Sequence, residues 1–253
     1  MPGLSEVERG RSEAAHTRLV PTDVTPYLDP PADTPFPLRY AFYLLGDVRG
    51  KTVVDLGCGS GENLAPLLAR GARVIAVDLS QELVDLARKR VAISKLQPSS
   101  RDTEANFIVG SAYDVPLPDS SIDVILCASL LHHLNIPRAM AEMRRLLKPQ
   151  GIAAVKEPVR FSKAIGVLRS LFPEQEDVSQ DEHPLTRDEF AQLKDGWSVS
   201  GERAFRLPLV ALAIRALGEK RTSKFWSLDG WLLKIKPLQH FATTRVLKLT
   251  RTS

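Results

Sequence analysis

The chain has 253 residues, 43% hydrophobic and 25% charged, a balance ordinary for a globular protein with one substantial core. No apolar run reaches the roughly 18 residues that a bilayer-spanning helix needs, and two cysteines are too few for a disulfide framework. The formal charge of +4 is uneven, since residues 201–253 hold eleven Lys/Arg against three acids, a net of +8 that leaves −4 on the first 200 residues.

Residues 1 to about 20 read as a charged leader. Glu6, Glu8, Arg9, Arg11 and Glu13 leave no room for the apolar stretch of a secretory signal, so the cytoplasm is the expected compartment. Six prolines in 21–37 exclude a regular helix there. Residues 38–48 then read as a helix carrying Tyr40, Phe42, Tyr43, Leu44 and Leu45, either packing simply or covering a site.

The run Val53-Val54-Asp55-Leu56-Gly57-Cys58-Gly59-Ser60-Gly61-Glu62-Asn63 is the most informative stretch. A short apolar strand ends in a carboxylate, and three alternating glycines let the backbone turn sharply and approach a ligand that a Cβ would exclude. Such a loop lies at the carboxyl edge of a parallel sheet. The dinucleotide pattern G-x-G-x-x-G wants a third glycine where this chain has Glu62. The core then reads as strands at 52–56, 73–78, 106–109, 122–128 and 151–157, with helices at 61–70, 80–95 and 136–147. Ser60 is the expected N-cap of the first helix, and Leu83, Val84, Leu86, Ala87 and Val91 give the second its core face. The stretch 98–105 reads as a polar surface loop.

Four segments in register resemble the class I S-adenosylmethionine-dependent methyltransferases, of the broad small-molecule, UbiE-like type. Asp55 to Gly61 is similar to their D-x-G-x-G-x-G motif, and Asp78, 21 positions after Gly57, ends a second strand as their ribose-binding acid does. Gly110-Ser111-Ala112-Tyr113-Asp114-Val115-Pro116-Leu117-Pro118-Asp119 resembles their third segment, with Ser111 where an adenine-binding Asp is common; a hydroxyl also accepts a hydrogen bond. Leu147-Lys148-Pro149-Gln150-Gly151 resembles their LKPGG turn, with Gln150 in place of a glycine.

The resemblance covers about residues 50–158 and implies an α/β, Rossmann-like, doubly wound seven-stranded sheet, mostly parallel with its last strand antiparallel. Helical cover segments are expected at both ends. It also implies S-adenosylmethionine as cofactor, bound by Asp55, Gly57, Cys58, Gly59, Gly61, Asn63, Asp78, Leu79, Ser111, Ala112, Tyr113 and Cys127, with Cys58 and Cys127 as free thiols beside it. No Cys/His cluster has metal-ligand spacing, so no metal is expected.

Past the fifth strand, 161–172 reads as an apolar helix and 173–181 as an acidic loop, and Thr186 with Glu189 forms a capping box. Residues 197–206 and 241–251 alternate like the final antiparallel pair. Between them lie 34 residues, 207–240, where the fold needs only a turn. Leu207, Leu209, Leu212, Trp226 and Trp231 make this insertion apolar, so it buries against the body, a second copy in a homodimer, an apolar substrate or a membrane surface. The expected division is a leader and cover at 1–45, a cofactor-binding core at 46–206, the insertion at 207–240 and a final core strand at 241–253.

The expected reaction is methyl transfer to an O or C atom of a small apolar or amphipathic acceptor such as a natural product, quinone or lipid-like phenol. Two alternatives stay open: methylation of RNA or protein, and a non-catalytic S-adenosylmethionine-binding partner subunit. The basic C-terminal part allows anionic partners, but no N-P-P-Y-type motif follows the fourth strand, so nucleic acid is not the expected partner. His132 and His133, just past that strand, are the candidate general bases, with packing or capping as their alternative role. Glu157 and His183 are weaker candidates.

Overall fold

The computed structural model describes residues 14–15, 17, 19–94, 105–162, 183–208 and 223–252. Seven strands form one sheet in the order β3-β2-β1-β4-β5-β7-β6. They are β1 (Thr52–Leu56), β2 (Arg73–Asp78), β3 (Ala105–Val109), β4 (Ile122–Ala128), β5 (Leu147–Pro158), β6 (Trp197–Phe205) and β7 (Thr244–Arg251). β1 to β5 run parallel, and β7 is antiparallel to both β5 and β6, as the resemblance implies.

Buried central strands have side chains sealed on both faces, which is why β1 and β4 read as continuous apolar runs. The alternation still sorts them. Val54, Leu56, Ile125, Cys127, Ala153 and Val155 pack on one face with Met140, Met143 and Leu146 of α5 (Ile136–Leu146) and Phe190 of α6 (Arg187–Gln192). Val53, Val124, Leu126 and Ala154 pack on the other with Phe42 and Leu45 of α2 (Pro37–Leu45) and Leu64 and Leu67 of α3 (Leu64–Ala69). Each fully buried Leu or Phe contributes about 1.5–3 kcal/mol, so the helical layers hold the sheet from both sides. The strand order reverses between β1 and β4, where the loops after their carboxyl ends splay apart into a crevice.

Several boundaries differ from expectation. The first core helix begins at Leu64, not 61, because Gly57, Gly59 and Gly61 all have positive φ (73°, 49° and 83°) and keep the chain in a loop. Ser60 does not cap it. Its hydroxyl and carbonyl instead accept from Nη2 (3.2 Å) and Nε (2.8 Å) of Arg90, on α4 (Gln81–Ile93). Ser80 caps α4 by accepting from the Leu83 amide, and Thr186 and Glu189 form the expected capping box. The fifth strand starts at Leu147 and carries the Gln150 turn within it, with Gln150 in the left-handed region at φ 63°. Despite its prolines, 21–37 holds a single helical turn, α1 (Thr25–Leu28), with Pro26 in its first turn. The final strand begins at Thr244 after a 3₁₀ segment, Lys236–Phe241, and α7 (Ser223–Leu232) occupies part of the insertion.

The expected leader residues 1–13, most of the 98–105 loop, most of the 161–172 helix, the acidic loop 173–181 and the apolar run 209–217 lie outside the described residues. Among the described residues, no helix is long and apolar enough to cross a membrane. Likewise, no group of three or more His, Cys, Asp or Glu there is arranged to hold a metal ion.

Candidate active site

The glycine loop is stitched to β2 by three amides. Those of Gly57 and Cys58 donate to the Val77 carbonyl (2.8 and 3.0 Å), and that of Gly59 donates to Oδ2 of Asp78 (2.9 Å). Oδ1 of Asp78 accepts from the Ser80 amide (3.0 Å). Each carboxylate oxygen thus retains acceptor capacity for a ligand. Two glycines are needed for protein-side reasons as well. A Cβ on Gly57 would stand 2.8 Å from the Leu130 side chain, and one on Gly61 would stand 2.8 Å from Cα of Ala87, where the loop packs on α4.

The cavity above this loop measures about 450 Å³. It brings together Gly57, Cys58, Gly59, Asn63, Asp78, Leu79, Ser111, Ala112, Tyr113 and His133, predicted from distant parts of the chain. Asp55, Gly61, Cys127 and His132 do not line it and lie behind its wall. Asp55 is fully buried, its Oδ1 accepting from Nδ2 of Asn63 (3.3 Å) while Oδ2 has no partner. Burial pushes its pKa up to about 7, the Asn63 hydrogen bond opposing and nearby Asp78 adding to the rise. Burial likewise pushes both thiols, Cys58 and Cys127, above the usual cysteine range, so neither is a thiolate near neutral pH. Tyr113 is held in place by the Asn135 amide, which donates to its hydroxyl (2.6 Å), and by the Arg138 guanidinium 4.6 Å above its ring.

The far side is built from the turn after β4 and the end of β5. Leu131–His133 forms a 3₁₀ turn. Oε1 of the fully buried Glu157 accepts from the Leu130 and Leu131 amides (2.9 Å each), and its Oε2 lies 2.7 Å from Nδ1 of His132. His132 is thereby fixed, while His133 lines both the main cavity and a smaller one of about 250 Å³, shared with His132, His183 and Glu189.

Sequence reasoning missed Lys156, Ser129, Leu130 and Glu62, which also line the main cavity, as do Thr17 and Leu38 from the N-terminal segment. Lys156 follows an apolar strand, Ile152-Ala153-Ala154-Val155, and a cation ending such a run is the available signal. Its Nζ donates to Oγ of Ser129 (2.6 Å), and its carbonyl accepts from the Ser129 amide (2.7 Å), holding Ser129 at φ 59°. Burial draws the Lys156 ammonium below the usual lysine range, Glu157 opposing.

The residues fit an adenosyl ligand. They offer a carboxylate with spare acceptor sites, a hydroxyl at Ser111, apolar contact at Leu79 and Ala112, and a glycine approach at a crevice of the sheet. Strand order, glycine loop and cavity have the arrangement of the Rossmann-like fold of class I methyltransferases. Residues 54–155 match the family model described as a methyltransferase domain. The chain is similar to a demethylmenaquinone methyltransferase of Clavibacter sepedonicus, 32% identical over 111 residues, covering 44% of this chain and 42% of that protein. It is also similar to a malonyl-(acyl-carrier protein) O-methyltransferase of Serratia marcescens, 30% identical over 145 residues, covering 54% and 50%. The chain thus spans half or less of the length of these curated relatives. Geranyl diphosphate C-methyltransferase from Streptomyces coelicolor A3(2) shares the fold, with TM-score 0.63, 15% identity and coverage of 98% of this chain and 97% of that one.

Proposed function

We propose that the protein transfers a methyl group from S-adenosylmethionine to an oxygen or carbon atom of a small, apolar or amphipathic acceptor. The observation that carries this reading is one cavity that joins the glycine loop, Asp78 and Ser111–Tyr113 to His133 and Lys156 across the β1/β4 crevice. When bound, the cofactor supplies a sulfonium methyl with its leaving group already attached. The protein's part is alignment and exclusion of water.

In this reading the spare acceptor sites of Asp78 take the ribose hydroxyls, and Ser111 accepts from the adenine edge. Gly57, Cys58, Gly59 and Asn63 cradle the amino-acid end, and Leu79, Ala112 and Tyr113 flank the base. Asp55, Gly61 and Cys127 shape the loop from behind. His133 takes the acceptor's proton, and His132, fixed by Glu157, presents the turn that carries it. The leader and cover at 1–45, which bring Thr17 and Leu38 to the cavity wall, close the acceptor side of a core at 46–206 completed by 241–253, and the insertion at 207–240 backs that cover through its own cavity against residues 25–39. The relatives named above are described as methyltransferases of demethylmenaquinone, malonyl-(acyl-carrier protein) and geranyl diphosphate, which supports an acceptor of small-molecule type.

Calorimetry tests the cofactor assignment: S-adenosylmethionine and its demethylated product S-adenosylhomocysteine bind in the micromolar range. Saturable NADH binding with no response to either sulfur nucleoside would overturn it. Transfer of labelled methyl to a panel of phenols and quinols tests the acceptor class. In that assay His133→Ala loses roughly a hundredfold or more in rate, the scale of one general base, with cofactor affinity unchanged.

A further inference from the structure

Lys156 stands out among the charged groups of the cavity wall. Among the described residues its ammonium forms no ion pair, although it is half-buried. Of its three N–H donors, one is used, by Ser129 Oγ. The charges around it are accounted for on every side. Glu157, next on β5, is taken up by His132 and two amides. Glu62 is exposed across the cavity on the glycine loop, and Arg206, at the end of β6, is of like charge. Cys127 of β4 is a buried thiol, and Cys58, Asp78, Tyr113 and His133 complete the titratable lining among the described residues. A cation left without an ion pair in a partly dry wall, with two donors still to place, favours an anion beside it.

We infer that Lys156 and Ser129 form an anion-holding anchor on the acceptor side, so that the natural acceptor carries an acidic hydroxyl, a phenol or enol, methylated as its oxyanion. This rests on the methyltransferase reading of the cavity and narrows its acceptor. The hydroxyl proton passes to His133, and Lys156 holds the resulting oxyanion. An oxyanion lone pair then forms the new oxygen–methyl bond as the carbon–sulfur bond breaks and its electron pair stays on sulfur. An anion and a sulfonium thus become two neutral products. The lysine contributes position and charge, and a backbone-fixed Ser129 sets its direction.

The test uses the full chain saturated with S-adenosylhomocysteine and two phenols whose ionised forms absorb at a distinct wavelength, para-nitrophenol and umbelliferone. Bound to the wild type, at least one probe titrates with its midpoint lowered by about one pH unit, a tenfold preference for phenolate. Lys156→Gln returns the midpoint to its solution value, Lys156→Arg retains most of the shift, and both keep nucleoside affinity within about twofold. Should Lys156→Gln not fold, pH-dependent acylation of Lys156 in the wild type, slowed by saturating phenolate and unaffected by anisole, is the second measurement.

An unshifted midpoint, an equal shift in Lys156→Gln, failure of both probes to bind, or acylation that phenolate does not slow would overturn the anchor. Loss of nucleoside binding by the wild type itself would instead overturn the reading of the whole site, and this inference with it.

Discussion

Glu157 and His132 lie on different elements, and their side chains meet 2.7 Å apart beneath the site, Oε2 to Nδ1, both buried. The same carboxylate accepts from the Leu130 and Leu131 amides through Oε1, so one side chain fixes the whole turn that carries His133. Glu157→Ala leaves two amides and an imidazole without their acceptor, three hydrogen bonds at about 1–1.5 kcal/mol each and so a loss on the order of 3–5 kcal/mol. Glu157→Gln keeps an oxygen for the amides and costs about 1–2 kcal/mol. Urea denaturation of the three proteins checks the ranking. Equal stabilities would mean that the turn is held by its apolar contacts alone.

Asp78 joins two loops as well as facing the cavity, because Gly59 and Ser80 both donate to it. Asp78→Ala therefore removes ligand acceptors and loosens the glycine loop at once. Each charged hydrogen bond lost is worth roughly 1.5–3 kcal/mol, so affinity for S-adenosylhomocysteine falls at least tenfold by calorimetry. Asp78→Asn, which retains one oxygen, falls less. A folded Asp78→Ala protein with unchanged affinity would show that the ligand sits elsewhere.

The strands were legible because buried parallel strands demand apolar runs, as at Val53 to Leu56 and Ile122 to Ala128, and because the glycine loop marks the edge they share. The cavity wall was legible wherever a motif fixes a backbone position, at Gly57, Gly59, Asp78 and Ser111. Illegible were the contacts made between elements. The Ser60–Arg90 pairing spans 30 positions, and no local rule distinguishes a serine that caps from one that takes a guanidinium. Lys156 comes beside Ser129 only through the β4/β5 register that pairs Ala128 with Lys156. Asp55 and Cys127 stand at strand ends where a ligand contact is expected, and neither lines the cavity: Asp55 is buried against Asn63 and Cys127 packs in the core, a depth that depends on the sheet's twist.

Asp55 gives a pH dependence with a definite sign. Its carboxyl titrates at about 7 in the fold against a reference near 3.8. Between these values the native state binds the extra proton, so stability falls as pH rises through that window and levels off above it. Asp55→Asn removes the titration while keeping an oxygen for Asn63. The variant gains on the wild type from pH 4 to pH 7, by an amount on the order of 3 kcal/mol. Thermal unfolding across that range measures it, and a pH-independent difference would mean that Asp55 ionises normally.

Gln150 occupies a left-handed position, φ 63°, in the turn where the family pattern has glycine. A side chain there costs roughly 1–2 kcal/mol, and Gln150 is exposed, so nothing of its packing is lost on removal. Gln150→Gly raises unfolding free energy by about 0.5–1 kcal/mol, the strain relieved being partly offset by the added freedom of the unfolded chain. Chemical denaturation should show a higher midpoint with an unchanged slope. A lower midpoint would mean that Gln150 contributes more through its side chain than the backbone strain costs.

The described part of the insertion, residues 207–208 and 223–240, docks away from the glycine loop. Trp226 is almost fully buried with its ring 5.0 Å from that of Phe36, and Leu233 packs with Ala204, Leu207 and Ala242. Buried Asp229 accepts from the Arg206 and Leu207 amides at the end of β6 (2.9 and 2.7 Å), tying α7 to the sheet. None of its described residues lines the cofactor cavity; several line a separate cavity of about 850 Å³ against residues 25–39. Replacing 207–240 by a short glycine-containing turn should therefore leave S-adenosylhomocysteine affinity within about threefold. It should also lower stability, since burial of Trp226 alone is worth about 3–5 kcal/mol. If the insertion covers the acceptor, methyl transfer to any phenol or quinol accepted by the wild type is lost in the same protein. Normal transfer by the shortened, folded chain would remove 207–240 from the acceptor site, and loss of nucleoside binding would show that the segment supports the cofactor cavity through the sheet.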